Sequence, residues 1–252
     1  MKDRLDNPAI NQGYTPEGAE NGKDGIINHK EAYEHRRFQN QKCPSDEEMK
    51  GFKTFMDNFY QKCHKLSLEV LRALGLILNL PPTFFDNYMA RSDAQFRILH
   101  YMPVPVHTLL SERHARIHPH TDFGFCTILF QDSVGGLEID PFHTKSFLPA
   151  TPIPGTCVIN IADLLQRLSN DRLRSTLHRV VAPPLSEEKR REIGEDGMLP
   201  PRYSAAFFVH PSPDITIEPL VGVDEEPKYA PVNAGEWRTG ITASNYALPV
   251  ST

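Results

Sequence analysis

Two side chains near the middle of the chain, His120 and Asp122, could bind one metal ion together. Only Thr121 separates them, and in an extended strand residues two apart point to the same side. One imidazole and one carboxylate aimed at a single point are two of the three donors of a 2-His-1-carboxylate facial triad, the ligand set of non-haem Fe(II) centres. A lone HxD tripeptide is weak evidence, so a third donor from another strand is needed.

The third donor is expected at His178, which lies between apolar residues in the segment SNDRLRSTLHRVV, residues 169–181. Further along the chain, Arg202 and Ser204 share one face of the segment RYSAAFFV, residues 202–209. A guanidinium fork with a neighbouring hydroxyl is well suited to binding a carboxylate. The residues therefore predict a metal centre together with a site for an organic acid.

These motifs occur in a familiar order: HTD at 120–122, STLHRVV at 175–181 and RYS at 202–204. That order resembles the 2-oxoglutarate/Fe(II) oxygenase superfamily, in its isopenicillin N synthase-like branch, from about Phe96 to Tyr246. The resemblance implies that the first two motifs supply the iron ligands His120, Asp122 and His178. It also implies that Arg202 and Ser204 hold the far carboxylate of 2-oxoglutarate.

A tyrosine in the segment RILHYMP, Tyr101, is implied by the same resemblance to donate its hydroxyl to that carboxylate. The sequence departs from the family pattern beside it, because Leu99 stands where asparagine is usual and Met102 where proline is usual. The alternative for Tyr101 is a core tyrosine whose hydroxyl is satisfied within the protein.

The resemblance implies an enzyme that oxidises, most often by hydroxylation, a small organic molecule in secondary metabolism. Fe(II), 2-oxoglutarate and O2 would be required, succinate and CO2 would be released, and ascorbate could serve as reductant. Two alternatives stay open. One is a non-catalytic jelly-roll protein, either a pseudoenzyme or a subunit of a heteromer, because the chain starts later than is usual in the family. The other is an oxidase that uses no 2-oxoglutarate, as isopenicillin N synthase does, since Arg202 and Ser204 do not exclude it.

Neighbouring residues are assigned supporting roles. His118 precedes His120 by two residues, but Pro119 weakens the strand alternation, so His118 is expected beside the site and not on the metal. Three polar residues that match family positions are expected to be structural: Asn160, Asp163 and Arg179. Apolar walls around the site are expected from Leu129, Val180 and Phe207.

Composition excludes several classes of partner. The net charge of −5 gives no reason to expect nucleic acid. No apolar run is long enough to span a bilayer, and the polar N-terminus shows no signal peptide. The four cysteines form no CxxC pair and are expected to be reduced thiols of a cytoplasmic protein. A small-molecule substrate is therefore the expected partner.

The first part of the chain, residues 1–94, is expected to hold loops and a helical support region. Its first 44 residues should be loops with one short strand or turn. Ser45 and Glu48 form a capping-box pattern, and apolar residues from Met49 to Leu74 recur at helical spacing, so a long helix ending at Gly75 is predicted. A short helix should follow Pro81.

The second part, residues 95–252, carries many short runs rich in β-branched and aromatic residues. Strands are predicted at 95–101, 124–131, 136–140, 156–161, 176–182, 203–210 and 214–219. A short helix capped near residues 233–236 should end the chain. The predicted fold is mainly β with flanking helices: a double-stranded β-helix, or jelly roll, with a long helix packed on the outside, all in one structural unit. The charged segment 183–201 is either a solvated connection or a lid.

Overall fold

The computed structural model describes residues 12–19, 27–37, 43–110, 114–144, 146–183, 185, 187–194 and 197–246. Its helices are α1 (Phe52–Ile77), α2 (Asp86–Met89), α3 (Val106–Leu110), α4 (Asp163–Leu168), α5 (Glu187–Ile193) and α6 (Ala234–Tyr246). Its strands up to the first metal-site segment are β1 (Gly13–Thr15), β2 (Ile27–Asn28), β3 (Lys30–Arg36), β4 (Gln95–Tyr101), β5 (Val104–Pro105), β6 (His114–Ala115) and β7 (Ile117–His120). The later strands are β8 (Cys126–Gln131), β9 (Leu137–Asp140), β10 (Leu148–Pro149), β11 (Val158–Ile161), β12 (Leu177–Val180), β13 (Met198–Leu199), β14 (Arg202–Val209), β15 (Thr216–Ile217) and β16 (Val232–Asn233).

Two antiparallel sheets form the body of the molecule. The larger has six strands in the order β1-β3-β4-β14-β8-β11, and the smaller has four in the order β10-β9-β12-β7. Apolar residues of both sheets pack into one cluster, which includes Leu99 and Ala206 from the larger sheet and Leu137 and Val180 from the smaller. The two sheets therefore face each other, and the space between them is where inward-pointing side chains of both can meet.

The other face of the larger sheet is covered by helix α1. Its buried residues Met56, Tyr60 and Cys63 pack with Phe96 of β4 and Phe207 of β14, and the Tyr60 hydroxyl donates to the Ala94 carbonyl at 2.9 Å. This apolar packing fixes the larger sheet from outside, so its inward face is a firm support for polar side chains.

Helix α1 differs in detail from its prediction. The capping-box bonds form, with the Ser45 amide donating to Glu48 at 2.9 Å, but they close a turn ahead of the helix, which begins at Phe52. The helix continues past Gly75 to Ile77, and Gly75 is buried within it, in contact with the Phe85 ring. The buried face is also rotated from the predicted stripe: Tyr60 and Ser67 are buried, while Leu66 of that stripe is exposed.

The start of the chain contributes more structure than the sequence predicts. Instead of one short strand, the described residues include β1, β2 and the seven-residue β3, and β3 pairs along its whole length with β4. The larger sheet thus runs across the predicted division at residue 94, and that division stays a prediction. The segment 183–201 contains α5 and β13, so it is not simply a loop, and its role as a lid also stays a prediction.

The seven strands predicted after residue 94 agree closely with the structure, whereas β7, which carries His120, is not among the predicted strands. Strand β4 has the predicted bounds, and β8, β9, β11, β12, β14 and β15 each lie within or one residue from their predicted ranges. Helix α6 begins where expected, with Asn233 accepting a hydrogen bond from the Glu236 amide at 3.0 Å. No helix among the described residues combines the length and the hydrophobicity that crossing a bilayer requires.

Candidate active site

Neighbouring strands of the smaller sheet carry the two histidines of the predicted triad. His120 ends β7 and His178 lies in β12, and the two residues are direct antiparallel partners, with ring centroids 4.3 Å apart. The Nδ1 atom of His120 donates to the His118 carbonyl at 2.8 Å, and that of His178 donates to the Thr176 carbonyl at 2.9 Å. Because each Nδ1 carries a proton in these bonds, each Nε2 keeps a free lone pair, which is the arrangement a metal requires.

The loop after β7 brings Asp122 against the two imidazoles. Its Oδ1 atom lies 3.9 Å from Nε2 of His120 and 3.8 Å from Nε2 of His178. A ligand atom from each of the three residues lies within 4.8 Å of the others, and this is the group of potential metal ligands that the described residues contain. The sequence-predicted donors are therefore brought together at one point.

Two hydrogen bonds hold the other oxygen of this carboxylate. Thr127 donates its hydroxyl to Oδ2 of Asp122 at 2.6 Å, and Asn160 donates its amide to the same oxygen at 2.8 Å. Both donors reach one atom because Thr127 of β8 and Asn160 of β11 are register partners in the larger sheet. The two bonds leave Oδ1 directed at the histidines.

Sequence reasoning misses these two supports, because it gives Asn160 a merely structural role and does not single out Thr127. A signal does exist, since each is a polar residue inside an otherwise apolar strand, CTILF and VINI. A buried polar side chain needs a partner, and here the partner is the site itself.

The position of the loop depends on a glycine. Any Cβ at Gly124 would overlap the Val209 carbonyl oxygen and lie 2.9 Å from Nδ1 of His210. The loop backbone also bonds to the start of α4: the Asp163 amide donates to the Asp122 carbonyl and the Leu164 amide to the Gly124 carbonyl, each at 2.9 Å. Close packing on one side and these bonds on the other fix the loop that carries the acidic ligand.

The protonation states suit a metal. Burial alone would raise the pKa of the Asp122 carboxyl, but the two imidazoles and the two hydrogen-bond donors outweigh it and hold that pKa below its ordinary value. Desolvation, reinforced by the neighbouring His178, lowers the pKa of His120 well below its ordinary value. One carboxylate and two imidazole nitrogens therefore converge, and this donor set fits Fe(II) with three coordination positions left open.

Across the inter-sheet space, Arg202 lies at the start of β14. Its guanidinium is fully buried, with Nη2 donating to Gln131 at 3.0 Å and Nη1 donating to Ser204 at 3.3 Å. Its carbon Cζ lies 4.8 Å from the centroid of the Tyr101 ring, and Tyr101 is its register partner on β4. Arg202, Ser204 and Tyr101 thus lie together as the sequence predicted, with Gln131 as an unpredicted member.

Three expectations about the surroundings have different outcomes. Arg179 pairs with Glu138 of the neighbouring strand β9 at 2.7 Å, a contact that fits the structural role expected of it. Val180 and Leu129 belong to the apolar cluster between the sheets. Phe207, however, points away from the space between the sheets and is buried under α1. The even-numbered residues of β14 are the ones that point into that space. The prediction that Phe207 forms a wall of the site is wrong.

His118 is not among the grouped ligands. Its backbone carbonyl accepts the bond from His120, and its ring Nδ1 lies 3.3 Å from the amide nitrogen of Asn28. His118 therefore orients a ligand through its backbone, beside the site as expected.

Two histidines on one sheet, an aspartate on the adjoining loop and a buried guanidinium on the opposite sheet define the class of non-haem iron oxygenases built on a double-stranded β-helix. Comparison with known proteins agrees. Residues 92–211 match the family model described as the 2OG-Fe(II) oxygenase superfamily. The chain belongs to this superfamily, and the predicted fold is thereby confirmed.

Solved structures of the same superfamily are similar over nearly the whole chain. A full-length protein of Neurospora crassa, crystallised in complex with alpha-KG, is 34% identical, with a TM-score of 0.82 over 94% of this chain and 74% of that one. Among curated relatives, the 2-oxoglutarate-dependent dioxygenase ecdK of Aspergillus rugulosus is 36% identical over 82% of this chain and 63% of its own length. The proline hydroxylase buaE of Petromyces alliaceus is 39% identical over 72% of this chain and 56% of its own length. The chain thus spans a little over half of the length of these curated relatives.

Proposed function

We propose that this protein is an Fe(II)- and 2-oxoglutarate-dependent dioxygenase that hydroxylates a small organic molecule, in secondary metabolism. The observation that carries the proposal is the convergence of His120, Asp122 and His178 at one point, between sheets that also bury Arg202. The names of the relatives, which include 2-oxoglutarate-dependent dioxygenases of fungi, support the same activity.

Each residue has a defined task in the proposal. His120, Asp122 and His178 would hold Fe(II), and Thr127 and Asn160 would keep the carboxylate oriented towards it. When bound, Fe(II) with 2-oxoglutarate and O2 supplies the oxidant for a substrate C–H bond, and the cosubstrate leaves as succinate and CO2. Ascorbate would serve as an external reductant.

The far carboxylate of 2-oxoglutarate would lie against Arg202 and Ser204, with the Tyr101 hydroxyl as a further donor. A bidentate contact from a fully buried guanidinium is strong because little water competes for it. The apolar cluster around Val180 and Leu129 would keep the remaining space dry, which strengthens the same contacts.

The cosubstrate's role separates this proposal from its alternatives. Protein loaded anaerobically with Fe(II) should convert 2-oxoglutarate to succinate when O2 is admitted with a substrate. Proline and thymine are the first compounds to test, because relatives are named or crystallised with them. His178→Ala should abolish both metal binding and succinate formation. Full turnover by that variant would show that the ligand assignment is wrong.

Two other results would point elsewhere. O2 consumption without 2-oxoglutarate would indicate an oxidase of the isopenicillin N synthase kind. Tight 2-oxoglutarate binding without decarboxylation, across a broad substrate panel, would favour a pseudoenzyme or a subunit of a heteromer. A cytoplasmic location is part of the proposal, supported by the four cysteines, all of which are free thiols.

A further inference from the structure

A second arginine, Arg116, is buried as completely as Arg202. It lies between β6 and β7, and none of its surface is exposed to solvent. Its Nη2 atom donates to the Pro200 carbonyl, two residues before Arg202. Its Nε and Nη1 atoms are also buried, and within the described part of the chain neither has a hydrogen-bond acceptor. Two charged donors are thus left without a partner among the described residues.

The two guanidinium groups influence each other. Burial, and next the positive charge of Arg202, lower the pKa of Arg116 to about 10, so it remains a cation at neutral pH. Arg202 bonds only to the neutral side chains Ser204 and Gln131, and its Nε also has no acceptor among the described residues. Two buried like charges therefore lie near each other.

No carboxylate of the described residues forms an ion pair with either arginine. The carboxylate that raises the pKa of Arg116 is that of Asp132, whose Oδ2 accepts the Tyr203 amide at 2.5 Å and whose Oδ1 accepts the Val134 amide at 3.0 Å. Asp132 is therefore engaged with backbone. Burying two cations without a counter-charge is costly, and a bound anion with several acceptor oxygens would remove that cost.

The location of Arg116 suits the far end of a cosubstrate held at the metal. Arg116 precedes His120 by four residues along an extended segment, which places its backbone ~13 Å from that ligand. A five-carbon diacid bound at the metal, together with the length of an arginine side chain, can bridge a gap of this order. The metal ligands and the two arginines would then hold opposite ends of one cosubstrate molecule.

We propose that Arg116 is a second cation for the far carboxylate of 2-oxoglutarate, which it binds together with Arg202 through its unpartnered Nε and Nη1 donors. This inference rests on the proposed function, because it requires that 2-oxoglutarate is the cosubstrate. Arg116 would make this end of the site selective for a dicarboxylate over a 2-oxo monoacid.

The test is calorimetric titration of the full chain loaded with Mn(II), which needs no turnover. Two ligands are compared: 2-oxoglutarate, and 2-oxopentanoate, which has the same 2-oxo acid head but no far carboxylate. Arg116→Gln should raise the Kd for 2-oxoglutarate by about 10- to 100-fold, the range for losing a buried charged hydrogen bond, and leave 2-oxopentanoate unchanged. Arg91→Gln is the matched control, since Arg91 is 73% exposed and paired with Asp214, and it should change neither Kd.

Equal binding of 2-oxoglutarate by Arg116→Gln and wild type would overturn the inference, and so would an equal loss of both ligands, which would mark a structural role. If the glutamine variant does not fold, Arg116→Lys decides: it should weaken 2-oxoglutarate alone, because an ammonium cannot copy the fork, and unchanged binding would refute the inference. An Arg202→Gln variant that loses 2-oxoglutarate while Arg116→Gln keeps it would leave the proposed function intact and overturn only the inference. Failure of wild type to bind 2-oxoglutarate would overturn both.

Discussion

Replacing Thr127 by valine removes one of the two hydrogen bonds that orient the acidic metal ligand, at almost no change in volume. The lost bond joins a hydroxyl to Oδ2 of Asp122 at 2.6 Å, and both residues are buried, so water cannot readily replace the donor. A hydrogen bond to a charged group contributes about 1.5–3 kcal/mol, which corresponds to about 10- to 100-fold in affinity. Outer-shell partners of metal ligands change affinity by a similar factor, on the order of 10- to 100-fold.

We therefore expect Thr127→Val to weaken Mn(II) or anaerobic Fe(II) binding by at least about 10-fold, measured by calorimetry. Asn160 still donates to the same oxygen at 2.8 Å, so Asn160→Ala should have a similar effect and the double variant a larger one. Losing a donor also raises the pKa of the Asp122 carboxyl, since the donors favour its charged form. The loss of metal affinity should therefore be greater in mildly acidic buffer.

The control is Thr156→Val, at an exposed threonine whose hydroxyl donates to the Ile153 carbonyl at 2.8 Å, on a surface turn. It should bind metal as wild type does. The melting temperature of the metal-free protein should be recorded for every variant, to separate local from global effects. Metal affinity of Thr127→Val within about twofold of wild type would refute the view that this bond orients the ligand, since outer-shell partners ordinarily contribute far more.

Three further outcomes are expected. Arg202→Lys should raise the Kd for 2-oxoglutarate by about 10-fold or more, because a point charge cannot keep the bidentate contact; an unchanged Kd by calorimetry would remove Arg202 from the site. Gly124→Ala should lower the free energy of unfolding by about 1–3 kcal/mol in urea titrations, since its Cβ would overlap a backbone oxygen of Val209; an unchanged midpoint would contradict the close packing. Burial lowers the pKa of His210 from 6.5 to about 3, so below pH 6.5 the unfolded chain takes up a proton that the folded chain refuses. The contribution of His210 to the free energy of unfolding is therefore fully present above pH 6.5. It falls as the pH drops towards 3, and about 2 kcal/mol is lost at about pH 5. His210→Asn should flatten this dependence, and an identical slope in the variant would contradict it.

The donors of the site could be predicted because their chemistry is explicit in the sequence. His120, Asp122 and His178 are residue types that bind iron, and strand alternation places the first two on one side. The same holds for Arg202 and Ser204. The pairing of distant strands then brings these donors to one point. A single sequence can indicate that pairing only through its resemblance to a family.

Buried polar residues explain what the sequence could not reveal. The segment KEAYEHR looks like a solvated loop, yet it is the strand β3 of the larger sheet. It is buried because its charges are paired: Arg36 with Asp93 at 2.5 Å, and Glu34 with Arg97 at 2.6 Å. A hydrophobicity pattern cannot detect burial that depends on partners far away in the chain.

The rotated face of α1 has a related cause. Tyr60 and Ser67 are buried there because their hydroxyls are satisfied, Tyr60 by the Ala94 carbonyl and Ser67 by the His64 carbonyl at 2.7 Å. A pattern based on apolar residues alone assigns Leu66, which is partly exposed, to the buried face of the helix and leaves these two residues out. The burial of Arg116 could not be predicted for the same reason, since an arginine between two short strands gives no sign in the sequence that it lies inside the protein.

The two ligand strands β7 and β12 have one more consequence. Strand β7 forms the margin of the smaller sheet, where β12 is its neighbour among the described strands, and each of the two contributes an imidazole. A bound ion would stabilise the pairing of these two strands, because it binds only when both imidazoles are in place. Chelation should therefore accelerate amide hydrogen exchange at this margin before the opposite sheet responds. Removal of the ion would thus lower the local stability of this margin.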